Sequence, residues 1–133
     1  MSNNIKQASK QLIEAELTKT PCQPIRNLIG DKDIDTAYKV QNQITQQKLS
    51  DGCRLVGRKI GLTSFAVQKQ LGVNQPDYGM LFHQMEVMNG GEIPWKDCMQ
   101  PKAEAEIAFV LGKDLNQSQL SIPQIISAID YAL

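Results

Sequence analysis

The chain has 133 residues, which corresponds to one domain with a modest core. Its 14 lysine and arginine residues balance 14 aspartate and glutamate residues, so we expect no basic surface for nucleic acid or an anionic membrane. Three widely spaced cysteines and a single histidine argue against a disulfide framework and a zinc site. The first residues lack the apolar region of a secretory signal, and no apolar run could span a bilayer, so we expect a cytoplasmic protein.

Two amphipathic helices are predicted in the first 52 residues. The first ends near the turn signal Thr20-Pro21. Its apolar positions recur at helical spacing: Ile5, Ala8, Leu12 and Ala15. The second begins at a cap formed by Asp33 or Asp35 and ends before Gly52. Its predicted apolar face consists of Ala37, Val40 and Ile44.

A strand, a turn and a short helix are predicted next. Leu55–Ile60 has the composition of a strand, and Gly61 closes it. Thr63 or Ser64 caps a short helix that ends at Gly72. The following stretch is rich in glycine, proline and asparagine, which is typical of loops with short strands.

The rest of the chain is predicted to contain one clear strand and a final helix. Ala103–Leu111 is the strand, with a fully apolar core face made of Ala103, Ala105, Ile107, Phe109 and Leu111. A capping box of Ser121 and Gln124 begins the helix. Its predicted apolar stripe is Ile122, Ile126, Ile129 and Leu133. Since this helix stops without a cap, we expect the domain to be truncated.

Two glutamates share the other face of the predicted strand Ala103–Leu111. Alternate residues of a strand point to one side, so Glu104 and Glu106 are expected side by side, where their charges repel unless a cation neutralises them. Mg²⁺ or Mn²⁺ would do so, because these cations prefer oxygen ligands, although two carboxylates fill only part of a coordination shell. The plain alternative is a solvated outer face. The apolar residues that follow, Ala108 and Val110, favour a cleft instead.

A lysine and a predicted helix start follow each other in GRKIGLTS, residues 57–64. Lys59 lies near the end of the predicted strand, where it could meet a substrate carboxylate or enolate. The turn Leu62-Thr63-Ser64 would present backbone N–H groups, which can bind an anion. In the alternative, which the residues alone favour, Lys59 is solvated and the glycines only turn the chain. The spacing does not match a nucleotide P-loop.

An acidic residue lies in the segment QPDYG, residues 75–79. A carboxylate on a rigid loop can move a proton or orient water, and Asp77 is a candidate for that role. The alternative is a Pro-Asp turn that leads into a short strand. The residues alone leave both open. His83 is expected to be a packing or surface residue without a catalytic role.

Two stretches resemble the 2-keto-4-pentenoate hydratases of the fumarylacetoacetate hydrolase superfamily. They are GRKIGLTSFAVQKQLGVNQPDYGMLF (57–82) and PKAEAEIAFVLGKDL (101–115), and the similarity extends from about Pro24 to the end. The resemblance implies an α+β fold in which N-terminal helices pack on a mixed, β-rich core. Residues 1–133 would then be a single incomplete domain, with a helical region at 1–52 and the start of the catalytic core at 53–133.

The resemblance also implies roles for four of these residues. Glu104 and Glu106 match the family's ligands for Mg²⁺ or Mn²⁺, Lys59 matches its active-site lysine, and Asp77 matches the acidic residue of its QPD[FY]G loop. A third metal-binding glutamate of the family is expected beyond Leu133. We therefore expect this chain alone to lack a complete metal site.

The implied reaction adds water to 2-hydroxypenta-2,4-dienoate and gives 4-hydroxy-2-oxopentanoate in aromatic catabolism. The implied partners are this small molecule, further copies of the chain in a homo-oligomer, and another enzyme of the pathway. The first alternative is 4-oxalocrotonate decarboxylase, which shares both motifs but has an apolar residue in place of Asp77 and AKM-like residues in place of Ala66-Val67-Gln68. The second is a non-catalytic fragment or assembly subunit.

Overall fold

A computed structural model describes residues 2–133, which form helices and short antiparallel strands. The elements are α1 (Ser2–Thr18), α2 (Arg26–Ile29), α3 (Ile34–Ser50), β1 (Leu55–Gly61), α4 (Phe65–Leu71), β2 (Asp77–Phe82), β3 (Phe109–Leu111), α5 (Ile122–Ile126) and β4 (Ile129–Ala132). They form two compact units, one that extends to Met99 and one at Gln100–Leu133. The predicted α+β class is confirmed, whereas the single domain with a helical region at 1–52 stays a prediction.

Helices α1 and α3 pack against each other in the first unit. Ala8 on α1 and Val40 on α3 are fully buried, and burial of a valine side chain contributes about 2 kcal/mol relative to exposure. The buried Ser9 hydroxyl donates to the carbonyl oxygen of Ile5 at 2.8 Å. Both predicted helices are confirmed, but Ala37 is exposed. The buried face of α3 instead contains Thr36, Val40 and Thr45.

Asp33 is the cap of α3, one of the two candidates that the sequence left open. Its Oδ1 accepts the backbone N–H of Thr36 at 2.8 Å, and its Oδ2 accepts the Thr36 hydroxyl at 2.7 Å. These two bonds, the hydroxyl first, hold the pKa of Asp33 below its ordinary value. The cap thereby satisfies a backbone N–H that the helix itself leaves without an acceptor.

Strands β1 and β2 form an antiparallel hairpin, and α4 lies between them in the chain. The strand predicted at Leu55–Ile60 is confirmed, with Gly61 as its last residue. Ser64 is the N-cap of α4, although its side chain makes no capping hydrogen bond. Gly72 ends this helix with a φ of 70°, a conformation that glycine adopts without a steric penalty.

The second unit differs from its prediction at the final helix. The capping box is confirmed, because Gln124 Oε1 accepts the backbone N–H of Ser121 at 2.8 Å. The helix ends at Ile126, however, and Ile129–Ala132 is strand β4, paired with β3. The predicted stripe through Ile129 and Leu133 is therefore wrong, since strand pairing outweighs the helical spacing of these residues.

The predicted strand at Ala103–Leu111 is also shorter than expected. Strand β3 covers only its last three residues, and Ala108 extends the ladder by a reciprocal backbone pair with Leu133. Residues 103–107, which precede this pair, are irregular. The predicted core face is wrong here as well, because Ile107 and Phe109 are 71% and 61% exposed. No helix among residues 2–133 has both the length and the apolar character needed to cross a membrane.

Candidate functional site

Lys59 and Asp77 share one face of the β1–β2 hairpin. In the ladder, Lys59 is opposite Gly79 and Asp77 is opposite Gly61. Directly opposite residues of an antiparallel pair lie on the same face, as do residues two apart in one strand. The lysine and the aspartate are therefore diagonal neighbours, and the direct cross-strand partner of each is a glycine. Beside Lys59 the position of a Cβ at Gly79 is open, whereas beside Gly61 the corresponding space is occupied by the Asp77 carboxylate.

The carboxylate of Asp77 lies against the backbone of Gly61. A Cβ atom added at position 61 would collide with Asp77 Oδ1. A side chain at this position would therefore displace the Asp77 carboxylate, and the backbone angle of Gly61 is not the reason for glycine here. The sequence left open whether Asp77 belongs to a functional loop or to a Pro-Asp turn that leads into a short strand. The structure answers this in part, because Asp77 is the first residue of strand β2.

Helix α3 contacts strand β2 at Tyr78, the residue after Asp77. The rings of Tyr38 and Tyr78 stack with their centroids 4.7 Å apart. The backbone N–H of Tyr78 donates to the Tyr38 hydroxyl at 3.3 Å, and its carbonyl oxygen accepts the Gln41 side-chain amide at 2.9 Å. The backbone N–H and the carbonyl oxygen of Tyr78 thus both have a hydrogen-bond partner on α3. The backbone at the start of β2 is thus bonded to α3 at Tyr78 and paired with β1 in the ladder.

The turn after β1 contains the three residues predicted to bind substrate: Leu62, Thr63 and Ser64. Leu62 has a φ of 55°, in the left-handed region that residues other than glycine rarely adopt. Thr63 and Ser64 are exposed. The helix that follows has only seven residues, and therefore its dipole adds little to any attraction of an anion.

Glu104 and Glu106 lie in the second unit, in an irregular segment that precedes β3. Both are exposed, so the predicted placement on one side of a strand and inside a cleft is wrong for this chain. The segment precedes the β3–β4 ladder, whose first backbone pair joins Ala108 to Leu133, and it is not part of a strand. Within residues 2–133, no three side chains of the His, Cys, Asp or Glu type converge as a metal site.

The donor chemistry of the two glutamates fits a hard divalent cation. Carboxylate oxygens are the preferred ligands of Mg²⁺ and Mn²⁺. Both side chains are exposed and lie two residues apart, so they are accessible to a hydrated ion. Mg²⁺ commonly keeps several waters and takes one or two protein carboxylates, and substrate oxygens can complete such a shell.

The structural roles of three residues that shape the hairpin and its turn were not identified from the sequence. Tyr38 and Gln41 reach Tyr78 from sequence distances of 40 and 37 residues, and nothing in the local pattern reveals such contacts. Gln68 is buried in α4, and its side-chain amide donates to the carbonyl oxygen of Leu62 at 2.6 Å. A glutamine six residues after a turn carries no recognisable signal on its own.

No protein-family model matches the chain. The chain is 54% identical to the TodF product hydratase of Pseudomonas putida F1, over 97% of the chain and 48% of that relative. It is 44% identical to the 2-keto-4-pentenoate hydratase of Paraburkholderia xenovorans LB400, over 96% and 47% of the two chains. It is 34% identical to a 2-hydroxypent-2,4-dienoate hydratase of Pseudomonas putida, over 95% and 57%.

The fold is similar to solved structures of 4-oxalocrotonate decarboxylase from Pseudomonas putida G7. One, complexed with calcium and acetate, superposes with a TM-score of 0.92 at 32% identity, over 99% of this chain and 51% of that chain. Another, complexed with magnesium and adipate, has a TM-score of 0.91 and the same identity. The chain thus spans about half the length of the proteins it matches. By its sequence, the chain is similar over almost its whole length to 2-keto-4-pentenoate hydratases.

Proposed function

We propose that this chain contributes to the hydration of 2-hydroxypenta-2,4-dienoate, which gives 4-hydroxy-2-oxopentanoate. The observation that carries the proposal is the diagonal pair of Lys59 and Asp77 across two glycines in a hairpin. The pair places one cationic and one acidic group on one face, as a reaction with an anionic substrate and a proton transfer requires. The hydratase names of relatives at 34–54% identity support this reaction class.

Lys59 would stabilise negative charge on the substrate. The dienol must first shift a proton to become an α,β-unsaturated ketone, and this shift places charge on the C2 oxygen. A positioned ammonium favours that charge more in the transition state than in the ground state, which lowers the barrier. The backbone of Leu62, Thr63 and Ser64 would contact the C1 carboxylate, since these residues directly follow the strand that carries Lys59.

Asp77 would assist a proton transfer during the addition of water. Once the ketone has formed, C4 is electrophilic, and water adds there while a proton leaves the water and another reaches C3. A carboxylate held in place can act as base or acid in such a step. Its placement on the same face as Lys59 supports this role, because general acid–base groups act only within hydrogen-bond reach of their proton.

Glu104 and Glu106 would hold a divalent cation, Mg²⁺ or Mn²⁺. When bound, the cation would supply Lewis-acid polarisation of the C2 oxygen and a template for the neighbouring carboxylate. Calcium and magnesium in the two decarboxylase structures support a divalent cation. The identity of the metal, the homo-oligomer, the contact with another pathway enzyme and the cytoplasmic location all stay predictions.

Decarboxylation of 4-oxalocrotonate is the second candidate, and the structural similarity at a TM-score of 0.92 favours it. The two reactions share an enolate with a C2 oxygen, so the lysine and the glutamates serve both. Asp77 separates the two candidates, because loss of carbon dioxide needs no carboxylate to activate water. The aspartate and the hydratase relatives together favour hydration.

The test supplies purified full-length protein and Mg²⁺ or Mn²⁺ with 2-hydroxypentadienoate and, separately, with 4-oxalocrotonate, and resolves the products by chromatography. We expect 4-hydroxy-2-oxopentanoate from the first substrate and at least about a hundredfold loss of that rate in Asp77→Asn. Asp35→Asn, a change of an exposed carboxylate on α3, is the matched control and should keep the rate. Release of carbon dioxide from 4-oxalocrotonate without hydration of the dienoate would show that the sister activity is the correct one.

A further inference from the structure

Leu62 adopts a backbone conformation that its own residue type does not favour. Its φ of 55° places it in the left-handed region, where the Cβ atom crowds the following carbonyl oxygen. Such residues persist only where the surrounding structure holds them, and they are frequent at functional sites. Leu62 directly follows β1 and lies three residues after Lys59. Something in the chain must therefore hold this turn.

Gln68 is the side chain that bonds to the turn. It is 5% exposed, and its Nε2 donates to the carbonyl oxygen of Leu62 at 2.6 Å. Its backbone is fixed as well, because its N–H donates to the Ser64 carbonyl oxygen at 2.9 Å and its own carbonyl oxygen accepts the Val73 N–H at 3.0 Å. The backbone of Gln68 is thus bonded to residues at both ends of α4, and its side chain reaches back to Leu62 in the turn. A buried amide is costly without partners, so this bond constrains the carbonyl direction of Leu62.

We propose that Gln68 is a positioning residue that keeps Leu62 in its left-handed conformation and thereby sets the path of the backbone from Lys59 to Ser64. The inference rests on the proposed function only in so far as Lys59 and the turn bind the dienoate. Gln68 itself touches neither the substrate nor the reacting atoms. It acts through the carbonyl oxygen of Leu62, whose orientation fixes the peptide plane that leads to Thr63.

A purely structural role for Gln68 predicts something different. If the side chain only fills space in the first unit, an isosteric apolar residue should lower stability without altering the turn. If it holds the turn, the same replacement should release Leu62 from its positive φ. A glycine at position 62, which adopts positive φ without crowding, should then restore part of what was lost. The rescue by a second substitution separates the two roles.

The first measurement uses the unaltered chain. Proton–deuterium exchange of side-chain amides, followed by NMR, should show the Gln68 amide exchanging at least about tenfold more slowly than the amide of Gln70, an exposed glutamine in the same helix. Equal exchange of the two amides would overturn the proposal. Because no substitution is involved, this result does not depend on whether a variant folds.

The second experiment compares Gln68→Met, Leu62→Gly, the double variant and the control Gln70→Met. The φ of residue 62 is read from backbone couplings and carbon shifts, and hydration of the dienoate is measured in parallel. We expect Gln68→Met to lose the positive φ and at least about tenfold in kcat/KM, the double variant to regain at least threefold, and Gln70→Met to match the unaltered protein. An unchanged φ in Gln68→Met, or a loss that Leu62→Gly does not reduce, would refute the positioning role. If the unaltered full-length protein fails to hydrate the dienoate, the proposed function fails, and the φ measurement still decides the role of Gln68.

Discussion

The carboxylate of Asp77 occupies the space that a side chain at position 61 would need, directly across the β1–β2 ladder from Gly61. Glycine at this position therefore fixes where the proposed proton-transfer group lies. The colliding atom is the end of a flexible side chain and not backbone, so a methyl group at position 61 would displace the carboxylate more easily than it would displace the strands.

We therefore expect Gly61→Ala to lower kcat for hydration at least about tenfold, because a carboxylate moved by an ångström no longer meets its proton. The unfolding midpoint in urea should change little, since the hairpin pairing is retained. Gly57→Ala is the matched control in the same strand, because a Cβ there would meet a Leu81 methyl group at an ordinary 3.8 Å. A Gly61→Ala protein with unaltered kcat would mean that the carboxylate position does not matter for the reaction.

Removal of one carboxylate from the second unit should weaken binding of the divalent cation. Glu106→Gln keeps the size of the side chain but removes a charge, which leaves the charge of the cation less compensated. We expect the dissociation constant for Mn²⁺, measured by calorimetric titration, to rise at least about tenfold. Glu92→Gln, at an exposed position in the first unit, serves as control. Identical titrations of Glu106→Gln and the unaltered protein would remove Glu106 from the metal assignment.

The hydroxyl of Tyr38 should contribute measurably to the stability of the first unit. Tyr38→Phe keeps the ring stacked on Tyr78 but removes the oxygen that accepts the Tyr78 N–H at 3.3 Å. The expected loss in the free energy of unfolding is up to about 1 kcal/mol, because the contact is solvent-exposed and water can replace part of the bond. Tyr38→Leu, which also removes the stack, should lose about 1 kcal/mol more. Equal unfolding midpoints for all three proteins in urea would contradict this account of β2.

The stability of α3 should depend on acid through Asp33. The two Thr36 bonds lower the pKa of Asp33 in the folded chain. A carboxyl with a lowered folded pKa stabilises the fold fully above its unfolded pKa of about 4, and the contribution is lost as the pH falls through the folded value. Asp33→Asn retains a capping oxygen and should lose this pH dependence, as measured by thermal unfolding between pH 2 and 6. Asp35→Asn should keep it, and the reverse result would assign the effect to Asp35.

The apolar surface of the second unit should make the isolated 133-residue chain associate. Phe109 and Leu111 on β3, together with Ile107, are at least half exposed, and such clustered apolar surface favours protein–protein contact. We expect concentration-dependent association in sedimentation experiments, with a clear reduction in Phe109→Ser. Leu17→Ser removes an exposed leucine of α1 and is the control. A monomer at all concentrations would contradict the expectation, as would equal effects of the two substitutions.

Local sequence determined the first unit well. The helical spacing of apolar residues, the cap at Asp33 and the strand before Gly61 all appear as predicted, because each depends on interactions within a few residues. The same holds for the capping box at Ser121. The resemblance to 2-keto-4-pentenoate hydratases was also evident from two short motifs, since the residue types around Lys59, Asp77, Glu104 and Glu106 are specific in combination.

Tertiary structure alone decided which of these residues meet. The diagonal of Lys59 and Asp77 depends on hairpin register, and the contacts of Tyr38 with Tyr78 and of Gln68 with Leu62 depend on how segments fold back on each other. The same cause explains the errors in the second unit. A strand exists only where a partner completes its hydrogen bonds, so Ile129–Ala132 became a strand beside β3 despite its helical spacing. The glutamate segment lies outside this ladder and is irregular.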